Sequence, residues 1–275
     1  MSSADSIAEA VAPLTADPGR AGILLDVDGT LAPIVRHADD ASVPQETRSL
    51  LNEISPCYGL VACVSGRRSS EARRIVSIDS IAYVGNHGAE VLRGGETEPE
   101  LEGEMEEWAK RVQDCAGDVD REMLEREGIH FEDKGVIVAF HWRGAHDDES
   151  AETALKEVAK DAEGAGLHSH WGRKVLEIRP QVRLDKGTGI VRLLRNLELE
   201  LELDLDVAMY VGDDTTDLDA FRGLRELVDE GHLERAVLVG VSSEETPADI
   251  EREADVLVEG TEGVADLLQA LLAPC

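Results

Sequence analysis

Apolar residues fall along this chain in two alternating patterns. One is the short continuous run closed by turn residues. GILLDVDGT, starting at Gly22, is the first, and YGLVACVSGR and IAYVGNHGAE follow it. The other is the helical spacing of VPQETRSLLNEIS, where Leu50, Leu51 and Ile54 recur at i, i+1 and i+4, and of SSEARRIVSI. Unbroken apolar strands alternating with helices predict a parallel sheet covered on both faces. Residues 1 to about 20 read as a short helix and a tether.

The pattern changes after residue 102. A long charged helix is predicted over 103–127, then strands at GIHFED and GVIVAFHW, a helix at ESAETALKEVAKDAEGA, and strands at LHSHW and KVLEIR. That order, αββαββ, describes an α+β unit inserted into the first domain. From Lys186 the earlier pattern resumes with a helix at TGIVRLLRNL, the strand VAMYVGDD, a helix at DLDAFRGLREL, the strands AVLVGV and DVLVEG, and a last helix at GVADLLQALLA. The fold class expected is α/β, a doubly wound, Rossmann-like core over 1–102 and 182–275 with an inserted α+β cap over 103–181. LELELELDLD alternates with strand period, as a solvated linker or an edge strand would.

Composition changes the picture in two ways. The 58 acidic residues outnumber 27 basic ones, for a net charge of −31. Such a surface repels itself at low ionic strength and argues against nucleic acid or an anionic membrane as partner. The acids are interspersed with apolar periodicity, so a folded chain is expected rather than disorder. The balance resembles that of salt-in halophile proteins. It also makes a lysine informative, because only six accompany 21 arginines. No apolar run reaches the roughly 18 residues that a membrane span needs, and MSSADSIAEAVAP has neither the basic start nor the apolar stretch of a signal peptide. A cytoplasmic monomer is expected. Its four cysteines, Cys57, Cys63, Cys115 and Cys275, are expected as reduced thiols.

Four motifs close strands or open helices. In D-V-D-G-T-L, Asp26 ends an apolar strand, where open parallel sheets place their sites. Two carboxylates two residues apart suit a nucleophile, Asp26, and a general acid and base, Asp28. Gly29 permits the turn and Thr30 offers a hydroxyl to a phosphate oxygen. A plain Asx turn is the bland alternative, although it would not need Gly and Thr together. V-S-G-R places Ser65 and Gly66 where anions bind at a helix start, with Arg67 adding charge; a helix cap reads equally well. Lys186 in L-D-K-G-T-G opens a helix, where the dipole disfavours a cation unless an anion lies near. V-G-D-D-T-T-D ends another strand. Its Asp213, with Asp26 and the carbonyl of Asp28, would make a hard oxygen site suited to Mg²⁺, and Asp214 and Asp217 would order metal waters and Lys186. An acidic turn is the alternative.

Acid pair, Ser, Lys and acid pair, in that order, resemble the haloacid dehalogenase superfamily. The resemblance implies Asp26 as nucleophile, Asp28 as acid and base, Ser65 and Lys186 on phosphate and Asp213 on Mg²⁺. Within it, VGNHGAE, EDKG, FHWR, LEIRP and GDDTTDLDAF together resemble trehalose-6-phosphate phosphatases. That resemblance implies trehalose 6-phosphate as substrate. It implies sugar contacts at Glu132, Lys134, Arg143 and Glu177, and a core loop at Asn86 and His87 that faces the cap. Arg173 stands where that family usually has lysine, with Lys174 beside it, and an arginine forks where a lysine points. Bottom-up, a disaccharide phosphate needs acceptors such as the two glutamates and donors such as Lys134 and Arg143; a solvated sheet face is the plainer reading of the same residues. His130, His141, His146, His168 and His170 gather in the cap with no i, i+4 helical pair to suggest zinc. Another sugar phosphate, such as a sucrose or mannosyl-glycerate phosphate, a phosphohexomutase reaction, and a non-catalytic sensor are the competing readings.

Overall fold

The computed structural model describes residues 3–35, 40–101, 105–201, 203–244, 246–273 and 275. The chain divides into two compact units, Met1–Glu100 with Leu184–Cys275, and Leu101–Arg183.

The larger unit is built on an eight-stranded sheet in the order β12-β11-β10-β1-β2-β3-β4-β5. The strands are β1 (Ala21–Asp26), β2 (Leu60–Val64), β3 (Ala82–Gly85), β4 (Glu90–Leu92), β5 (Glu100–Leu101), β10 (Val207–Gly212), β11 (Arg235–Ser242) and β12 (Val256–Glu259). From β12 to β3 all neighbours pair parallel, and β4 returns antiparallel to β3. β1 and β2 are buried at every residue, as a sheet covered on both faces requires. One face is covered by α1 (Ser3–Ala16), α2 (Gln45–Ile54), α3 (Ser69–Val76) and α10 (Gly260–Leu271), the other by α7 (Lys186–Leu201), α8 (Asp217–Asp229) and α9 (Ala248–Glu253). Strand order reverses direction of growth between β1 and β10, which opens a crevice at their carboxyl ends.

The smaller unit carries α4 (Met105–Gly117), α5 (Arg121–Glu127) and α6 (Asp148–Gly164) with a sheet ordered β6-β7-β9-β8. Its strands are β6 (His130–Asp133), β7 (Val138–His141), β8 (His168–Gly172) and β9 (Val175–Arg179), all antiparallel. Val138, Phe140, Leu176 and Ile178 point to the helices and form one apolar cluster with Val112, Leu155 and Ala162.

Several local expectations change. The helix expected near the N-terminus forms as α1, but it is part of the core and not of a tether, because its Ile7, Val11 and Leu14 are buried. The charged helix over 103–127 is two, split after Gly117, where Asp120 accepts the backbone N–H of Glu122 and Met123 and starts α5. IAYVGNHGAE is a hairpin rather than one strand. Asn86, His87 and Gly88 take positive φ at its turn. The described residues of LELELELDLD form no strand: α7 runs on to Leu201, because Ile190, Leu193, Leu194 and Leu197 continue one buried helical stripe, and Leu199 is left outside it, exposed. Cys57 and Cys275 are disulfide-bonded, their Cα atoms 5.8 Å apart, and not reduced thiols; 218 residues of separation hide the pairing from any spacing rule. Cys63 and Cys115 are free. Among the described residues no helix is long and apolar enough to cross a membrane.

Candidate active site

The crevice receives the carboxyl ends of β1, β2 and β10, and with them three of the motifs; the remaining one, at Lys186, enters on the start of α7. β1 delivers Asp26, in register with Val64 at the end of β2. The chain then turns tightly, with the N–H of Gly29 donating to the carbonyl of Ala32 at 2.8 Å. Gly29 has φ of +87°, and a side chain there would meet the Asp213 carboxylate at 2.2 Å. Only glycine allows β1's turn to approach the end of β10 so closely.

Asp26 and Lys186 are both buried. The Lys186 ammonium donates to Asp26 Oδ1 at 2.6 Å and to Asp217 Oδ1 at 2.7 Å. Asp185 caps α7 through the Thr188 N–H at 2.8 Å, which fixes Lys186 at the first position of the helix. Asp217 accepts at both oxygens: Oδ1 also takes the Tyr210 hydroxyl at 2.6 Å, and Oδ2 takes the N–H of Asp213 and Asp214 at 2.9 Å each. Thr30, expected at the phosphate, is buried and donates to Asp213 Oδ1 at 3.2 Å. Asp214 accepts both the N–H and the hydroxyl of Thr216.

Asp26, Asp213 and Asp217 present oxygens within 4.8 Å of one another. One buried ammonium faces these three carboxylates. Burial pushes Asp26 well above the ordinary carboxylate range against the pull of Lys186, and Asp217 and Asp213 add to it. Asp213 is pushed up to about 6 by burial and then by Asp217 and Asp214. Burial opposes the charge on Lys186, yet Asp217 and Asp26 outweigh it and hold the ammonium firmly protonated. The site is short of positive charge, and its donors are hard oxygens, so it fits a divalent cation such as Mg²⁺. Asp217 has its lone pairs engaged, which leaves Asp26 and Asp213 as the carboxylates to hold one.

Asp28 is held from another side. Arg67 Nε donates to Asp28 Oδ2 at 2.7 Å and Nη2 to Oδ1 at 2.8 Å, while Nη1 bonds Glu71 one helical turn on. A bidentate fork of this kind fixes a carboxylate in orientation. Arg67, expected to add charge beside Ser65 and Gly66, directs its fork to Asp28 and Glu71. The Arg67 N–H also donates to Ser65 Oγ at 3.1 Å, and the Ser65 N–H to the Val84 carbonyl at 2.9 Å. The next loop is stitched to this one: the Asn86 N–H donates to the Arg67 carbonyl at 2.7 Å and the His87 N–H to the Ser65 carbonyl at 3.3 Å. The His87 ring lies where a side chain at Gly66 would be, 2.7 Å away.

Glu132, Lys134 and Glu177 come together in the smaller unit. Lys134 Nζ lies 3.4 Å from Glu177 Oε1 and 3.8 Å from Glu132 Oε2. Burial works to raise the Glu177 carboxyl, yet Arg179 and Lys134 together hold it below the ordinary range. Arg143, after β7, and Arg173, in the β8–β9 turn, are exposed, and Lys174 beside Arg173 pairs with Asp148 at 2.7 Å.

The sequence pattern passed over Tyr210, Glu71, Glu90 and Arg179. Tyr210 and Glu90 sit inside apolar runs, where the only signal is a polar group on a buried strand. Glu90 is buried and accepts the N–H and hydroxyl of Ser69 at 2.6 and 2.8 Å, holding the start of α3. Arg179 could have been found from its i, i+2 relation to Glu177, which puts both on one sheet face.

A doubly wound sheet that gathers two acid pairs, a serine and a buried lysine at its switch point has the fold of haloacid dehalogenase-like proteins. The trehalose-phosphatase family matches residues 24–254, and the chain belongs to that family. It is 33% identical over 213 residues to trehalose-phosphate phosphatase B of Arabidopsis thaliana, which takes in 74% of this chain and 56% of that protein. It is 32% identical over 208 residues to probable trehalose-phosphate phosphatase 4 of Oryza sativa subsp. japonica, covering 74% and 55%. The chain thus spans about half the length of these curated relatives. In fold it is similar to a crystal form of Aspergillus fumigatus trehalose-6-phosphate phosphatase, with TM-score 0.64, 22% identity and coverage of 99% of this chain and 98% of that one. It is similar also to the C-terminal domain of C. albicans trehalose-6-phosphate phosphatase, with TM-score 0.65, 20% identity and 98% of each chain covered.

Proposed function

We propose that the chain is a Mg²⁺-dependent phosphatase that hydrolyses trehalose 6-phosphate to trehalose and phosphate through an aspartyl phosphate on Asp26. The observation that carries this is the buried Asp26 beside Lys186, 2.6 Å away, in a cluster with Asp213 and Asp217. A carboxylate at a strand end, unshared with solvent and steered by one ammonium, is arranged to attack rather than to bridge.

Asp26 attacks phosphorus and the bond to the sugar oxygen breaks, while Asp28 gives its proton to that leaving oxygen. Water then attacks the aspartyl phosphate. Asp28 takes its proton, the phosphorus–Asp26 bond breaks, and the carboxylate returns. Lys186 offsets charge on Asp26 and the phosphoryl group, and Ser65 and Gly66 bind phosphate oxygens. Asp26 and Asp213, with the carbonyl of Asp28, would hold Mg²⁺, which when bound neutralises phosphoryl charge. Thr30, Asp214, Asp217 and Tyr210 keep these groups in place. Arg67 holds the Asp28 carboxylate in orientation through its two N–H donors. Glu132, Lys134, Arg143, Arg173 and Glu177 read the sugar, with Asn86 and His87 completing the substrate contacts.

Phosphate release is measured from trehalose 6-phosphate, sucrose 6-phosphate and glucose 6-phosphate, with Mg²⁺ or with EDTA, at high salt. Preference for the first and loss with EDTA support the assignment. Preference for another sugar phosphate leaves a phosphatase with a different substrate, and metal-independent turnover removes Mg²⁺ from it.

A further inference from the structure

The face of the smaller sheet away from its helices carries a row set by strand register. Glu132 on β6 stands opposite Ala139 on β7, Ala139 opposite Glu177 on β9, and Glu177 opposite His170 on β8. The two glutamates are therefore two strands apart, roughly 10 Å from backbone to backbone, with only a methyl group between them. Lys134 reaches in from the β6–β7 turn and lies between the carboxylates, 3.8 Å from Glu132 and 3.4 Å from Glu177. That turn is itself pinned. The Lys134 N–H donates to the Ile137 carbonyl at 2.9 Å, and Asp133 accepts from Gly135 at 2.7 Å and from Gln113 at 2.8 Å.

One lysine shared by two glutamates does not fix either of them, because each glutamate has three rotatable bonds. Both outer ends are held by other residues. His141 Nε2 lies 2.9 Å from Glu132 Oε2, and His141 is one strand over and diagonal to it. Arg179 Nε donates to Glu177 Oε2 at 2.9 Å, and its Nη2 bonds the same oxygen. The result is a five-member chain of alternating partners, His141–Glu132–Lys134–Glu177–Arg179, closed at each end by a donor. Neither end residue is among those expected to touch the sugar.

We infer that His141 and Arg179 are positioning residues for substrate recognition: they set the orientation in which Glu132 and Glu177 accept sugar hydroxyls. The inference rests on the proposal that these glutamates read the sugar. Holding a carboxylate before the substrate arrives removes the ordering cost from the binding step, so the benefit is felt in binding rather than in bond breaking. Loss of either end donor leaves its glutamate free to rotate toward Lys134 or solvent.

The test uses the full chain with trehalose 6-phosphate, Mg²⁺ and high salt, reading kcat and KM separately, with a melt to verify folding. His141→Ala and Arg179→Ala are each expected to raise KM roughly 3- to 30-fold with kcat changed much less. His141→Gln restores most of the loss, because an amide N–H can reach the same oxygen. The double variant Glu132→Ala with His141→Ala is no worse than Glu132→Ala alone, and the pair Glu177→Ala with Arg179→Ala behaves in the same way. If the glutamate variants raise KM while His141→Ala and Arg179→Ala do not, or if the paired losses add, the positioning role is wrong and the sugar site stands. If Glu132→Ala and Glu177→Ala themselves leave KM unchanged, the sugar assignment fails first and the positioning role goes with it.

Discussion

Four donors converge on the Asp217 carboxylate: the Lys186 ammonium, the Tyr210 hydroxyl and two backbone N–H groups. The residue lies at the first position of α8 and is fully buried. It orients Lys186 toward Asp26 and shapes the loop that presents Asp213. The sequence marked it as a supporting residue of the fourth motif, and its geometry shows how it can support. Asp217→Asn puts an amide nitrogen where two donors already point. Removing one partner of a buried pair in this way should cost about 3 kcal/mol. A thermal melt should drop by roughly 6–12 °C, at about 2–4 °C per kcal/mol for a domain of this size, and the Mg²⁺ needed for half-maximal activity should rise. An unchanged melt together with an unchanged Mg²⁺ requirement would mean that Asp217 is not the organiser described above.

At the scale of elements, the strands were legible because buried parallel strands are continuous apolar runs, and three of the four motifs stood at the end of one. β1, β2 and β10 needed nothing more. The elements that were misread have a physical reason in common: local pattern lost to tertiary packing. The alternation of LELELELDLD is genuine, but the stripe Ile190, Leu193, Leu194 and Leu197 packs against the sheet and carries the helix through its first half. The Asn86–Gly88 turn has no Asn-Gly pair to mark it, and both Asn86 and His87 take positive φ without being glycine. Clustering of charge on the β6, β7 and β9 face was visible as motifs, but the ion pairs that order it depend on register, which no single strand reveals. The proposed division of phosphate-handling and sugar-reading residues between two sheets gives a selective prediction. Glu177→Ala should lower kcat/KM for trehalose 6-phosphate by roughly 10- to 1,000-fold. Hydrolysis of a small aryl phosphate, which has no disaccharide to hold, should change by less than about threefold. Asp213→Ala should depress both. Equal damage to the two substrates by Glu177→Ala would make Glu177 structural and remove it from the sugar site.

For the whole molecule the governing quantity is the net charge of −31. The surface ion pairs, such as Lys156–Glu152 and Arg252–Asp249, contribute little singly. Screening length falls from about 8 Å at physiological ionic strength to about 3 Å at 1 M, so repulsion between neighbouring carboxylates should fade across that range. The melting temperature should therefore climb from dilute buffer to molar KCl, and activity with it. A flat or falling melting temperature would remove halophilic adaptation as the explanation of the acidity. Charge was fully legible in the composition. The Cys57–Cys275 bond was not, because it joins the loop after α2 to the last residue and depends on α10 packing against α2, where the Tyr58 hydroxyl donates to the Leu271 carbonyl at 2.7 Å.

The central claim is that Asp26 is the group that attacks phosphorus. Asp26→Asn keeps the shape of the side chain and removes its nucleophilicity. With trehalose 6-phosphate and Mg²⁺ at high salt, phosphate release should fall by several orders of magnitude. Circular dichroism and equilibrium binding of the sugar phosphate should stay close to wild type. Turnover by Asp26→Asn at a wild-type rate would contradict the mechanism outright.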